Sequence, residues 1–281
     1  MTVFNINRAY GMKNVNALDN SALLKHASSV FSESAHQSTS ARYTQIPTIH
    51  IVDALRNEGW MPVSAAETKV RDESKKGYAK HLLRFRHTND ITRTLNVQDK
   101  ISEIVLLNSH DGTSSYQLHA GIFRLACANG MIVADSTLQK QCVRYSGNII
   151  GNVIEGLYSI VEDLPAVNAQ IENYKSITLN TEEQHALAQA GMALRWEEGE
   201  SPVKPEQVVQ INRREDTAND LWTAFNRIQE NILRGGLRGL KRDALGRVKR
   251  VTTREVKSVT ENVRLNKALW VLADEMAKLK A

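Results

Sequence analysis

The hydrophobic pattern changes its period along the chain, and these changes predict which segments are strands and which are helices. The apolar, partly β-branched run Glu103–Asn108 is typical of a buried strand. Alternating residues over 115–120 and an apolar run over 122–127 predict further strands. Asp111-Gly112 and Asn129-Gly130 between and after these runs are strong turn signals. The pattern predicts a central antiparallel meander that needs other elements to cover it.

Upstream of the meander, the pattern predicts a helix followed by a strand hairpin. Thr48 is expected to cap the helix, and Gly59 to end it. Strands are expected over 64–71 and 78–87, with a charged tip between them. The two-residue period of a strand places their basic side chains on one face, the predicted basic ribbon: Lys69, Arg71, Lys80, Arg84 and Arg86. A solvated sheet face is the alternative interpretation of this ribbon.

From residue 147 onward the apolar residues recur at helical spacing, up to Leu164, and Pro165 either kinks this helix or starts the next. Three more helices are expected: one capped by Thr181 with Gln184, one stopped by Gly235-Gly236, and one capped by Ser258 with Glu261.

These elements together predict an α+β protein with a twisted antiparallel sheet (hairpin plus meander), backed by a long helix, and with a helical C-terminal region. Three parts are expected: an extended or loop segment over 1–45, an α+β core domain over 46–178 and a helical region over 179–281. Within the last part, several glycines predict that 234–257 is a flexible loop.

This loop holds the most concentrated charge of the chain, with only Asp243 and Glu255 against its basic residues. The residues expected to bind nucleic acid there are Arg234, Arg238, Lys241, Arg242, Arg247, Lys249 and Arg250, and Arg254 and Lys257 add to the charge. A flexible basic loop suits adaptive phosphate contacts. A disordered solubilising loop is the alternative.

Two smaller basic groups complete the candidate nucleic-acid surface. Arg42 beside Tyr43 suits a phosphate and a stacked base, although a loop ion pair with a half-buried tyrosine is the alternative. Lys140 and Arg144 lie on a further expected strand over 139–145.

Composition leaves the class of partner open. The chain has 281 residues, 42% of them hydrophobic, and a formal net charge of +5, which permits a polyanionic partner without requiring one. Cys127 and Cys142 lack close spacing and indicate a reducing compartment. No apolar run has membrane length and no signal peptide is evident, so a cytoplasmic protein is expected.

No motif predicts catalysis, a cofactor or a metal. Phosphate-binding and dinucleotide-binding glycine motifs are lacking. His110-Asp111 superficially resembles a metal-dependent phosphohydrolase motif, but Gly112 indicates a turn. Glu67-Thr68-Lys69 matches part of a nuclease motif whose upstream carboxylate would be Asp53, which lies in a predicted helix. A metal-dependent nuclease therefore ranks third among the functions considered.

Several motifs are similar to a known family when taken as a set: RYTQIPT, ALRNEGW, IVLLNSHDGTSSYQL, GIFRLACANG, NDLWTAFNRIQENILRGG and RLNKALW. From about Ser29 to the C-terminus the chain resembles the phage- and plasmid-associated DUF932 (YfjQ/YafZ-like) family. This resemblance implies a bacterial mobile-element or prophage protein and no established reaction. A weaker likeness, over about 48–164, is to single-strand annealing proteins of the Rad-fifty-two class, and rests on element order and Gly59-Trp60.

The expected function is therefore non-enzymatic binding of single-stranded DNA, with annealing of complementary strands in phage or plasmid recombination. The annealing resemblance implies homo-oligomeric rings or filaments. An accessory protein that binds a host defence or replication protein is the alternative.

Overall fold

The computed structural model describes residues 17–39, 43, 45–92, 100–124, 129–133, 141–143, 148–242 and 246–281, without the side chains of 92, 129, 141–143 and 242. The chain divides into two compact units, one made of 1–132 with 136–164 and the other of 133–135 with 165–281.

The first unit is built on an antiparallel sheet. Its strands are β1 (Trp60–Glu67), β2 (His81–His87), β3 (Lys100–Asn108), β4 (Tyr116–Arg124), β5 (Asn129–Ile132) and β6 (Gln141–Val143). Strands β1 to β5 lie in sequence order, each antiparallel to the next, and β6 also pairs with β4. The predicted hairpin and meander are confirmed.

Helices α1 (Asn20–His26), α2 (Thr48–Asn57) and α3 (Thr88–Thr92) complete this unit together with the first part of α4. Thr48 was expected to cap α2, but the cap residue is Pro47 and no side chain caps the helix there. The Thr48 hydroxyl instead lies within hydrogen-bond distance of side chains of β2 and β4, so α2 packs on the sheet face that carries His81 and Tyr116.

Strand β2 differs from the expected half-exposed strand, because every residue from His81 to Arg86 is buried. Both of its faces are therefore covered. In the register of the sheet, Arg84 lies opposite Val105 of β3, and Val105 lies opposite His119 of β4. This register gives one sheet face that carries the arginines and a second face that carries His81, Leu83 and Phe85.

The second unit is mainly helical, in agreement with the predicted helical C-terminal region. It contains the end of α4 (Ile149–Ser176), then α5 (Thr181–Ala193), α6 (Pro205–Val208), α7 (Leu221–Arg234) and α8 (Val259–Leu279). Helix α4 continues through Pro165. Ser258 caps α8 as expected, whereas the capping box of α5 is formed by Asn180 and Glu183, one residue before the predicted pair.

Helix α7 lies at the centre of this unit, with every residue from Leu221 to Leu233 buried. The polar residues of its buried surface have specific partners. Arg227 donates to the backbone carbonyls of Val209 and Ala218, and Gln229 donates to Asn266 on α8. These hydrogen bonds offset the cost of burying polar groups around the helix.

The antiparallel sheet of the first unit and the helices of the second give the chain an α+β fold.

Candidate nucleic-acid interface

The predicted basic ribbon does not form on the surface, because two of its arginines are core residues. Arg84 is 5% exposed, Arg86 is 3% exposed and their shared partner Glu103 is fully buried. Arg84 Nη1 donates to Glu103 Oε2 at 2.8 Å, and Arg86 Nε donates to Glu103 Oε1 at 2.8 Å. Both arginines are therefore removed from the candidate interface.

The surroundings of this ion-pair cluster fit a structural role. The Arg84 guanidinium also donates to the carbonyls of Gly130 and Met131, and a Cβ added at Gly130 would lie 2.5 Å from Arg84 Cζ. The Arg86 guanidinium lies 4.0 Å from the centre of the Phe123 ring, within range of a cation–π interaction. A buried ion pair is held by such additional contacts, since desolvation costs several kcal/mol per ion.

The remaining ribbon residues are not aligned on paired strands. Strand β1 ends at Glu67, so the exposed Lys69 and Arg71 lie beyond it, whereas residues 64–71 were expected to be one strand. Lys80 precedes β2 and is only partly exposed. The ribbon prediction is wrong because alternation shows which side chains share a face, but not what covers that face.

Of the two smaller basic groups in the predicted nucleic-acid surface, the structure describes only Tyr43. Arg42, Lys140 and Arg144 lie outside the residues that the structure describes. Tyr43 is partly buried, and its hydroxyl donates to the carbonyl of Ser109 at 3.3 Å.

Within the basic segment 234–257, the described residues 234–242 and 246–257 form regular structure, contrary to the prediction of a flexible loop. Strands β7 (Arg238–Arg242) and β8 (Val248–Thr252) form an antiparallel hairpin, which we call the arm. Leu240 lies opposite Arg250, and Lys241 lies opposite Lys249. The β-branched residues Val248, Val251 and Thr252, a type enriched in strands, were the available sequence signal for a strand.

The base of the arm is anchored to the second unit by backbone hydrogen bonds. Gly236 N donates to the carbonyl of Thr253 at 2.8 Å, and Leu240 N donates to that of Pro202 at 2.8 Å. Gly235, with a φ of 67°, ends α7, and a Cβ there would lie 2.7 Å from the backbone of Arg254. Arg195 links the end of α7 to the segment after β8, because its guanidinium donates to the carbonyls of Ile232 and Arg254.

The two faces of the arm differ in exposure. Gly239 and Val251 share the face that lies against the segment containing Pro202, and both are only partly exposed, whereas Lys241 and Lys249 on the same face are exposed. The opposite face, which we call the outward face, is exposed at each residue whose side chain is described: Arg238, Leu240, Val248, Arg250 and Thr252. Leu240 is 58% exposed and Val248 is 54% exposed.

The charge of the molecule is concentrated in this region. Residues 234–257 contain nine basic and two acidic residues, a net charge of +7, whereas the whole chain carries +5. The rest of the chain therefore has a net charge of −2. Such a separation of charge directs a polyanion toward one region of the surface.

Some of these charges are already paired. Lys241 lies 2.6 Å from Glu200, and Arg234 lies 2.8 Å from Glu230. Within the part of the chain that the structure describes, the guanidinium groups of Arg238 and Arg250 make no ion pair. These two arginines are the members of the outward face best placed to contact a phosphate.

A buried polar network in the first unit was not predicted. The Thr48 hydroxyl lies 2.9 Å from His81 Nε2 and 3.1 Å from His110 Nε2, and accepts a hydrogen bond from Asn108 Nδ2 at 3.0 Å. Burial lowers the pKa of His81 to about 3, with a further contribution from His110, and burial lowers the pKa of His110 to about 4. Both rings are therefore neutral at physiological pH, and they are inaccessible to a substrate because both are fully buried.

The two carboxylates considered for a nuclease site, Glu67 and Asp53, make contacts that stabilise the fold. Glu67 Oε2 accepts a hydrogen bond from the backbone N–H of Ser29 at 2.8 Å, and Asp53 pairs with Arg56 on α2 at 2.9 Å. Among the described residues, no group of three or more His, Cys, Asp or Glu side chains is arranged to hold a metal ion. None of the helices described is both long and apolar enough to cross a membrane.

The comparisons with known proteins agree with the motifs in the sequence. The chain is 41% identical over 254 residues to UPF0380 protein YafZ and, equally, to UPF0380 protein YfjQ, both of Escherichia coli strain K12. These alignments cover 90% of this chain and 89% of each relative. No solved structure matches the chain. The profile of a family described as a domain of unknown function, DUF932, matches residues 35–270. The chain belongs to the DUF932 family.

Proposed function

We propose that this protein binds DNA without cutting it, and that the arm is the surface that contacts the DNA. The observation that carries this proposal is the outward face, where Arg238 and Arg250 stand exposed on a segment of net charge +7. Phosphate neutralisation by such residues releases counterions and supplies sequence-independent affinity.

The anchoring of the arm adds to this argument. A flexible loop loses backbone entropy of about 1–2 kcal/mol per residue when it is ordered by a ligand. The strands of the arm are hydrogen-bonded to each other and to Pro202 before any ligand is present. Its charges are therefore held at fixed spacing without that cost on binding.

Single-stranded DNA, which was expected from the sequence, stays part of the proposal. The resemblance to annealing proteins suggests that this protein pairs complementary strands in phage or plasmid recombination, as a homo-oligomer in the cytoplasm. That activity requires binding of single strands, because they are its substrate.

A second candidate function is the docking of a host defence or replication protein. The observation that favours it is the pair of exposed aliphatic side chains on the arm, Leu240 and Val248. Exposed apolar residues rimmed by polar ones are common at protein interfaces. The charge of the arm would then require an acidic partner.

The proposal is tested by fluorescence anisotropy with labelled single strands and duplexes at one fixed salt concentration. The variant Arg238→Ala with Arg250→Ala is expected to bind at least about tenfold more weakly, which corresponds to a loss of about 1.4 kcal/mol. The matched control is Lys69→Ala with Arg71→Ala, which also removes two exposed positive charges but lies outside the arm.

Circular dichroism must first show that both double variants are folded. Equal losses in the two variants would indicate a bulk-charge effect and reject the arm as the interface. If the wild-type protein binds neither form of DNA at low salt, the accessory-protein function becomes the better proposal. In the same mixtures, labelled DNA should stay intact with Mg²⁺ or Mn²⁺, and cleavage that Glu67→Ala abolishes would establish a nuclease.

A further inference from the structure

We infer that the arm is a site for duplex DNA and that its outward face lies in the major groove. The inference rests on the proposed function, and it names the form of DNA that the arm itself contacts.

The first supporting observation is the shape of the arm. It is a two-stranded antiparallel ribbon with strands of five residues each. The major groove of B-form DNA is about 12 Å wide and admits a two-stranded β-ribbon, whereas the minor groove is about 6 Å wide. The described side chains of its outward face are exposed and therefore accessible to a ligand of this width.

The second observation is the chemistry of the outward face. Arg238 and Arg250 alternate there with Leu240 and Val248, and Thr252 completes the row. Arginine donates to guanine O6 and N7 or to phosphates, and apolar side chains contact the thymine methyl group in the major groove. A surface that binds only phosphates would not use the exposed side chains of Leu240 and Val248, whereas a surface that contacts base edges would use them.

The third observation concerns what the arm lacks. Residues 234–257 contain no Phe, Tyr, Trp or His. Proteins that hold single strands without sequence preference combine a basic groove with aromatic side chains that stack on the bases. The arm has the charge of such a surface and none of its aromatic side chains, which favours a duplex, whose bases are already stacked on each other.

The test compares a labelled duplex of two helical turns with its own single strand, at one fixed salt concentration. We expect Arg238→Ala with Arg250→Ala to weaken duplex binding more than single-strand binding. We also expect methyl green, which occupies the major groove, to displace the protein from the duplex, and netropsin, which occupies the minor groove, to leave it bound.

A second variant keeps the charge of the arm constant. Leu240→Ser with Val248→Ser is expected to weaken duplex binding about fivefold, because it removes only the apolar contacts to the groove. Val271→Ser, at a valine of α8 that is 45% exposed, is the matched control and should leave duplex binding unchanged.

The outcomes separate the inference from the proposed function. Equal losses on both DNA forms, displacement by netropsin, or an unchanged affinity of the Leu240→Ser and Val248→Ser variant would overturn the duplex inference and leave DNA binding by the arm standing. If the wild-type protein binds neither DNA form, both the inference and the proposed function fail.

Discussion

At the scale of single residues, Thr48 joins two neutral histidines whose tautomers follow from their other partners. His110 Nδ1 lies 3.0 Å from Gln45 Oε1, the side-chain amide oxygen, and must donate to it, so His110 Nε2 accepts the Thr48 hydroxyl proton. His81 Nε2 then donates to Thr48, and His81 Nδ1 lies 2.8 Å from the Ser29 hydroxyl and 3.2 Å from the Ala79 carbonyl oxygen. A proton added to His110 Nε2 would leave two donors facing each other.

This network predicts a loss of stability in mild acid. The pKa values of His81 and His110 are lowered from 6.5 to about 3 and about 4 in the folded protein, so the unfolded chain binds more protons below pH 6.5. The free energy of unfolding should therefore fall as the pH decreases from about 6.5 toward 4. Each histidine contributes a slope of up to about 1.4 kcal/mol per pH unit.

The measurement is urea unfolding at several pH values between 4.5 and 7, for the wild type and for His110→Gln. The variant loses a hydrogen bond and is less stable overall, so the informative quantity is the slope of the unfolding free energy against pH. That slope should be smaller than in the wild type, because one group fewer takes up a proton on unfolding. His50→Gln, at an exposed position of α2, is the control. An unchanged slope in His110→Gln would show that His110 does not cause the acid sensitivity.

At the scale of secondary-structure elements, β2 and β3 are joined by a shared counter-ion as well as by their backbone ladder. Replacing Glu103 with Gln leaves the buried guanidinium groups of Arg84 and Arg86 without a counter-ion. Breaking a buried ion pair in this way is expected to lower the free energy of unfolding by about 3–5 kcal/mol. Urea unfolding at pH 7 measures this change directly.

Glu73→Gln is the matched control for this prediction. Glu73 carries the same carboxylate and pairs with Lys76, but its side chain is 87% exposed, so its loss should change stability by less than about 1 kcal/mol. If both substitutions had the same small effect, the ion-pair cluster of β2 and β3 would not stabilise the sheet.

At the scale of the whole molecule, the separation of charge predicts a strong salt dependence of DNA binding. The logarithm of the affinity should fall linearly with the logarithm of the salt concentration, with a slope of about −0.9 per phosphate contact on duplex DNA. Loss of both Arg238 and Arg250 should reduce the magnitude of that slope by about 1.8 if each contacts one phosphate. The variant Lys69→Ala with Arg71→Ala should keep the wild-type slope, and a matching reduction in it would contradict the assignment of the contacts to the arm.

Much of the fold was predictable because its signals are local. The turn at Asp111-Gly112 separates β3 from β4, which pair with each other, and Gly235 ends α7 where the sequence predicts. The concentration of charge over 234–257 is likewise a property of composition. These features depend on residues close together in the chain, so no knowledge of packing is needed to recognise them. The turn expected at Asn129-Gly130 is wrong, because both residues belong to β5 and pair with Arg124 and Phe123 of β4.

The features that the sequence did not predict depend on residues far apart in the chain. Glu103 is separated from Arg86 by 17 residues, and only the pairing of β2 with β3 brings its carboxylate to both arginines. Thr48 meets His110 in the same way, across 62 residues. Local periodicity assigns side chains to a face of a strand, whereas burial depends on what packs against that face. Tertiary packing therefore turned the predicted basic surface into core, and the anchoring hydrogen bonds turned the predicted loop into an ordered arm.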